Sequence, residues 1–404
     1  MAIYLRNRRN GDAGAVPVVV LGAGPAGLAV AAELGRVGVR ATVLERGPHI
    51  GTSWRTHYDH LRLHTTRGLS KLPGLSIPRQ YGKWVSRDDM VQYLEQYAQH
   101  HDLTIRFQAS AWRIEHAQTG PCPASNTPSW RVYTHDDALT TPAVVVATGR
   151  AHTPYLPAWP GIDSFCGTIL HSSQYHDPKP YKGRTVLVVG AGNSGAEITV
   201  ALTQAGAAQV WISVRTPPNI VPRVSNNWQA AGVLAHRLPL ALGDHGAALM
   251  QRLAVPDLTS YGLPRPTTGL FTRAARDDVS PLIDHGFVKA VRSGAVVPTP
   301  AVIALHHHEV VLTDGTRLVP EVVVAATGYR CGLEDLVGHL NLLDPVGQPL
   351  LRGRRTSLAA PHLYFAGYTN HLSGLLRHVA IEARQIARAI HHPARNRAPN
   401  LPPR

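Results

Sequence analysis

Residues 18–34 read VVVLGAGPAGLAVAAEL, and residues 186–202 read VLVVGAGNSGAEITVAL. Each is a β-branched run, a Gly-x-Gly-x-x-Gly turn and a stretch suited to helix, the order of a strand–turn–helix unit that holds a dinucleotide. The glycines have separate tasks in such a unit. Gly22 and Gly190 make the tight turn out of the strand, Gly24 and Gly192 let a pyrophosphate approach the backbone, and Gly27 and Gly195 let the helix pack closely on the strand. The helix start aims its free N–H donors at the anion, from Ala26 onward in the first unit, where Pro25 has none and opens the first turn, and over Asn193 and Ser194 in the second. One unit holds one dinucleotide, so two units imply electrons passing between two of them. A flavin- and nicotinamide-dependent oxidoreductase follows.

What comes after each turn separates the two sites. A short strand, Ala41 to Leu44, ends in Glu45 and Arg46, with Glu45 eighteen residues after Gly27. A carboxylate there accepts hydrogen bonds from a ribose diol and repels a 2′-phosphate, which fits FAD or NAD. In the second unit the matching strand, Val210 to Val214, ends in Arg215, twenty residues after Gly195. Arginine takes a 2′-phosphate, with Ser213 as a further donor; the alternative is a solvated arginine at a strand end. The first site is therefore read as FAD and the second as NADPH. Each unit also has a later buried run ending in Ala-Thr-Gly, which adds Thr148 and Gly149 to the FAD site and Thr327 and Gly328 to the NADPH site.

This pattern predicts an α/β fold with two dinucleotide-binding domains, Rossmann-like and of the glutathione-reductase type, the NADPH domain inserted in a discontinuous FAD domain. The FAD-binding domain is expected over residues 1–157 and 329–404, and the NADPH-binding domain over 158–328. Pro154, Pro157 and Pro160 mark the linker. A Leu-, Ala- and Pro-rich stretch at about 222–293 reads as a mainly helical insertion and a candidate substrate cap. Near the C-terminus, a strand from His362 to Ala366 leads through Gly367 into an amphipathic run from Leu375 to Ile390. Gly367 is placed to bring backbone against the flavin.

Composition narrows the function classes. The 404 residues carry a formal charge of +14, built on 35 arginines and 5 lysines that are scattered along the chain. The dense basic stretch is the proline-rich tail, His391 to Arg404. That reads as attraction for anionic cofactors rather than as a nucleic-acid footprint. Cys122, Cys166 and Cys331 form neither a disulfide framework nor a metal spacing, and without Cys-x-x-Cys a dithiol reductase is disfavoured. His306, His307 and His308 read as a surface strand, and no metal is expected. The N-terminal arginines precede no apolar signal core, and prolines and glycines interrupt the uncharged run Gly14 to Ala32, so a cytoplasmic protein is expected.

Between the two turns lies Phe165-Cys166-Gly167-Thr168-Ile169-Leu170-His171-Ser172-Ser173-Gln174-Tyr175. Its F-x-G-x-x-x-H-x-x-x-Y pattern resembles the fingerprint of class B flavoprotein monooxygenases, and Tyr175, where Baeyer–Villiger relatives carry Trp, resembles the flavin-containing monooxygenase branch. Gly51-Thr52-Ser53-Trp54, Tyr58 to His64, Gly190 to Gly195 and Tyr261 to Pro266 are similar to the plant YUCCA enzymes. The resemblance spans roughly residues 16–390. It implies FAD and NADPH, with Trp54 and His64 placed where the family contacts the flavin, beside Ser53 and Leu63. It also implies the chemistry: hydride passes from NADPH to FAD, O2 yields a C4a-(hydro)peroxyflavin, and one oxygen atom enters a small organic substrate. For a 2-oxo acid the outcome is oxidative decarboxylation. The alternatives are N- or S-oxygenation of a heteroatom, then Baeyer–Villiger oxygenation or a flavin reductase or oxidase. The stretch Thr65-Thr66-Arg67 lacks the active-site Asn of the animal enzymes, and Tyr368 to Leu372 departs from the plant wording. Asn193 and Asn370 are candidate catalytic donors, with ordinary turn roles as the alternative, and His171 reads as structural. The partners are a small-molecule substrate and O2, with no nucleic acid, no stable membrane insertion and room for a homodimer. Gly24→Val is expected to yield colourless protein, because a side chain there blocks the pyrophosphate; absorbance of the purified variant near 450 nm, the oxidised-flavin band that the resemblance implies, roughly, checks this.

Overall fold

The computed structural model describes residues 17–117, 129–223 and 239–392. Two five-stranded parallel sheets carry it. The chain lays down β1 (Val18–Leu21), α1 (Pro25–Arg36), β2 (Ala41–Leu44), α2 (Arg87–His100), β3 (Thr104–Arg106) and β4 (Val144–Val146). It then builds β5 (Thr168–His171), β6 (Thr185–Val189), α3 (Asn193–Gln204) and β7 (Gln209–Ser213). After α4 (Leu240–Ala254) and α5 (Leu270–Asp277) come β8 (Val297–Thr299) and β9 (Val322–Ala325). Finally β10 (Leu363–Phe365) and α6 (Leu375–His391) return to the first sheet. The strand orders are β10-β4-β1-β2-β3 and β8-β7-β6-β9-β5. The second unit is thus inserted in the first, since β10 pairs in parallel with β4.

The continuous apolar runs are what parallel strands covered on both faces require. Val18 and Val20 pack towards α1, α2 and α6, among Leu28, Tyr93 and Ile386. Val19 and Leu21 face Ile114, Trp130 and Val132, which lie on a three-stranded antiparallel sheet. In the second unit Val186 and Val188 face Ile198 and Phe287, while Leu187 and Val189 face Trp159 and Leu305.

Two crossings connect the units, and they pair with each other. Thr153–Pro154 runs antiparallel to Tyr329–Arg330. Between β7 and β8, Ile220–Pro222 pairs in parallel with Leu282–Asp284, and α4 and α5 pack nearby. The first part of that stretch, 224–238, lies outside the described residues, as do Cys122 and the basic tail from residue 393. The histidine triplet is not a strand: His306 ends one strand of a hairpin, and His307 and His308 form its exposed turn. Among the described residues, no helix is long and apolar enough to cross a membrane.

The glycine tasks read from the sequence take physical form here. Gly22 and Gly190 leave their strands at φ +104° and +111°, a region that L-residues with side chains avoid. A Cβ on Gly27 would stand 1.9 Å from the carbonyl oxygen of Gly22, and one on Gly195 at 1.9 Å from that of Gly190. Each helix therefore rests on the turn that starts it. Gly35 lies on α1 as well, yet a Cβ there meets nothing within 4 Å. Gly27→Ala is expected to cost about 1–3 kcal/mol through overpacking. Gly35→Ala should gain about 0.5–1 kcal/mol through the unfolded-chain entropy. Denaturant titration of both variants separates the two effects.

Candidate active site

Three cavities take in residues at the strand ends of the two sheets and between them. The first, about 230 Å³, opens at the ends of β1, β2 and β4. Gly22, Gly24, Pro25 and Ala26 form its floor, Glu45 and Arg46 one end, and Ser53 and Trp54 a wall; Thr148, Gly149 and Gly367 close it. The second, about 400 Å³, is lined by Gly190, Gly192, Ser213, Arg215, Thr327 and Gly328. The third, about 630 Å³, lies between them and takes in Leu63, His64, Asn193 and Asn370. It shares Trp54 and Arg150 with the first cavity and Ser280 and Pro281 with the second. Gly27, Ser194 and Gly195 line none of the three. The glycines lie beneath the turns, and Ser194 is turned towards Tyr58.

Both turns fit a dinucleotide. A Cβ built on Gly24 or Gly192 meets no protein atom within 4 Å, whereas Cβ atoms on Gly22 and Gly190 would reach 2.6 and 2.5 Å from the carbonyl oxygens of Ala147 and Ala326. Of the three glycines in each turn, only the middle one would point a Cβ into open space, which is where a pyrophosphate needs bare backbone.

Several expected residues have their hydrogen bonds taken up by the fold. Glu45 accepts from the Ala23 and Gly47 N–H groups at 2.7 and 2.9 Å and from the Thr52 hydroxyl at 3.0 Å. It ties the glycine turn to the next loop, and its oxygens retain capacity for further donors. Ser213 donates its hydroxyl to Pro300 O at 2.8 Å, so it offers lone pairs rather than a proton to the second cavity. Gly367 gives its N–H to buried Glu382 at 2.9 Å, and its close neighbour is Ala26 on α1.

The two asparagines are staples. Asn193 donates to Pro281 O at 3.0 Å and accepts from Ile283 N–H at 2.8 Å. Asn370 donates to Asp278 O and accepts from the Ser280 hydroxyl, both at 2.8 Å. They pin one segment, residues 278–283, from opposite units, and Arg150 adds an ion pair to Asp278 at 2.6 Å. Each asparagine thereby holds the cavity wall with one N–H and its oxygen, and a primary amide carries a second N–H besides.

The fingerprint residues also line none of the three cavities. Phe165 folds over Gly167, where a Cβ would come within 2.5 Å of the ring. His171 bonds Gly328 O at 3.0 Å and the Ser173 hydroxyl at 2.9 Å, edge-on to Tyr329. Burial holds its imidazole below the ordinary value, which suits a neutral structural group at the crossing between units. Tyr175 is fully buried against Tyr58, His60 and Tyr181.

Sequence reasoning missed Arg150, Arg273 and Glu197. Arg273, on α5, brings a second guanidinium to the second cavity; nothing local to Leu270–Asp277 signals this. Buried Glu197 on α3 accepts from Tyr58 Oη at 2.7 Å and from His64 Nε2 at 2.6 Å. Burial pushes its carboxyl up, but those hydrogen bonds and the charge of His64 prevail and hold it below the ordinary value. His285 Nε2 stands 4.0 Å away. These three offer donor atoms within 4.8 Å of one another. Yet ligands about 2.0–2.1 Å from a tetrahedral zinc stand about 3.3 Å apart, so the 2.6 Å contact reads as a hydrogen bond.

Burial pushes His285 down to about 4. Its neutral form is favoured in the fold, so stability is full above about pH 6.5 and falls as pH drops towards 4. The loss expected from this group is up to about 3 kcal/mol. His285→Gln should flatten that part of the stability profile, measured by urea unfolding at pH 7, 5.5 and 4.5.

Comparison with known proteins agrees with this architecture. Residues 15–343 match the flavin-binding monooxygenase-like family. The chain is 32% identical over 385 residues to the indole-3-pyruvate monooxygenase YUCCA1 of Oryza sativa subsp. japonica, covering 92% of this chain and 91% of that protein. It is 31% identical over 325 residues to YUCCA8 of Oryza sativa subsp. indica, an indole-3-pyruvate monooxygenase, covering 77% and 75%. In fold it is similar to a flavin-containing monooxygenase from Stenotrophomonas maltophilia, with a TM-score of 0.69, 24% identity and coverage of 93% and 99%. A cyclohexanone monooxygenase superposes with a TM-score of 0.70 at 18% identity, covering 95% and 88%. The paired glycine turns, the buried fingerprint and these matches together show that the chain belongs to the flavin-binding monooxygenase-like family, in its YUCCA-like branch, and is a flavin-dependent monooxygenase.

Proposed function

We propose that this monooxygenase uses FAD in the first cavity and NADPH in the second to decarboxylate an aromatic 2-oxo acid of the indole-3-pyruvate type oxidatively in the third. The observation that carries the reading is the third cavity, about 630 Å³, walled by residues shared with both dinucleotide cavities. The overall change balances as 2-oxo acid anion, O2, NADPH and one proton giving the shortened carboxylate, CO2, NADP+ and water.

FAD and NADPH supply the redox chemistry, namely hydride transfer and activation of O2. The protein binds and shields. Gly24, Thr148 and Glu45 would hold FAD, and Gly192, Arg215 and Arg273 would hold NADPH. Leu242, Met250, Phe271 and Leu372 give the third cavity an apolar wall that suits a flat aromatic ring and excludes water. Arg150, His64 and Asn370 place polar groups in the same cavity, where a carboxylate and a carbonyl need partners. The reading keeps the enzyme in the cytoplasm, with its cofactor supply.

Two measurements test this. Indole-3-pyruvate is expected to accelerate NADPH oxidation, with one CO2 released and one atom of 18O2 in the acid product. Label appearing only in an amine or sulfide substrate would move the reaction to heteroatom oxygenation, and peroxide matching all NADPH consumed would make the protein an oxidase. Arg215→Ser is expected to weaken NADPH by roughly 10- to 150-fold, the loss of a charged hydrogen bond of about 1.5–3 kcal/mol, and to leave NADH unchanged. Initial rates with both nucleotides decide it; an unchanged NADPH KM refutes the assignment of the second cavity.

A further inference from the structure

The loop from Tyr58 to His64 belongs to the first unit by sequence but is embedded in the second. Tyr58 is buried in the second unit's core beside Ile198 and Val188, and Leu61 packs on the same core. Asp59 donates its N–H to His176 O at 3.0 Å, and the His60 ring meets Tyr175 edge-on. The anchor of this loop is Glu197, whose two oxygens take the Tyr58 hydroxyl and the His64 Nε2–H at 2.7 and 2.6 Å. Glu197 lies four residues after Asn193, one turn into α3, the helix whose start faces the second cavity. Gly195 clamps that helix onto its own turn, so Glu197 cannot shift without the dinucleotide turn shifting too. At the other end, His64 and Trp54 form part of the third cavity's wall.

We propose that Glu197 is a positioning residue that couples occupation of the second dinucleotide cavity to the wall of the reaction cavity formed by His64 and Trp54. Breaking this bridge costs more than one hydrogen bond, because removing either loop donor leaves a buried carboxylate short of a partner. A nucleotide seated against the start of α3 steadies the helix, Glu197 carries that order across the seam, and the 58–64 loop stiffens. The inference rests on the second cavity being the NADPH site.

The test is backbone hydrogen exchange of residues 57–64 in FAD-loaded protein, with and without NADP+, and with NADP+ affinity measured separately by titration calorimetry. In the unaltered protein, NADP+ is expected to slow exchange of this loop about tenfold, within the usual range of coupling between two sites. Glu197→Gln keeps the shape and loses the charge; it should still bind FAD and NADP+ but show less than about a twofold change in the loop. Should that variant lose FAD, Tyr58→Phe, which removes one hydroxyl and keeps the ring, takes its place with the same expectation. Wild-type protection in either variant overturns the role of Glu197, as does a loop indifferent to bound NADP+ in the unaltered protein. Failure of NADP+ to bind the unaltered protein at all would overturn the site assignment instead.

Discussion

The contact on which this architecture rests is made between two backbones. In each unit the third glycine of the turn lets the following helix lie against the carbonyl of the first, at a spacing where a single Cβ would stand 1.9 Å from oxygen. That approach sets where the helix starts and leaves the middle glycine bare towards the cavity. Shielding of an anion by N–H groups depends on this placement more than on the helix dipole, whose contribution at an exposed site is about 0.3–1 kcal/mol. Everything downstream, including the position of Glu197 on α3, inherits its location from that packing.

Having two such units creates a problem that one does not have, since they must face each other closely enough for hydride transfer. The paired crossings, Thr153–Pro154 against Tyr329–Arg330, constrain the swing of one unit against the other. His171 adds a bond to Gly328 beside that ribbon. The fingerprint therefore marks a seam rather than a reactive centre, which explains why residues so diagnostic of the reaction line none of the three cavities. Chemistry that belongs to a cofactor leaves the protein the tasks of alignment and shielding.

The third cavity shows the same division. Much of its apolar side comes from α4 and α5, joined by Leu372, and its polar side comes from strand ends and loops of both sheets. Residues 278–283 close it because Asn193 and Asn370 grip them from opposite units. A carboxamide suits that task, since it presents a donor and an acceptor in one plane and matches an acceptor and a donor of the wall at once.

Much of this was legible in the sequence, and the reason is locality. A positive-φ turn, a strand-end Glu45 or Arg215 and the apolar run before each turn are local in the chain, so residue type and spacing were enough to suggest two dinucleotide units and their cofactors. The discontinuous arrangement was also readable, from a late strand at His362–Ala366 ending in Gly367; it forms over Leu363–Phe365 and pairs with β4. What only the tertiary structure decided depends on pairs far apart in sequence. Tyr58 and His64 meet Glu197 across 139 and 133 positions, and Asn370 reaches residues more than 80 positions away. Polar side chains such as Asn193, Ser213 and Glu197 carry several lone pairs or protons, and their sequence context does not say which partner will claim them. Folding assigns those partners, since a buried polar group left unmatched costs about 1–3 kcal/mol; for Asn193 and Asn370 it chose groups of residues 278–283, up to 92 positions away.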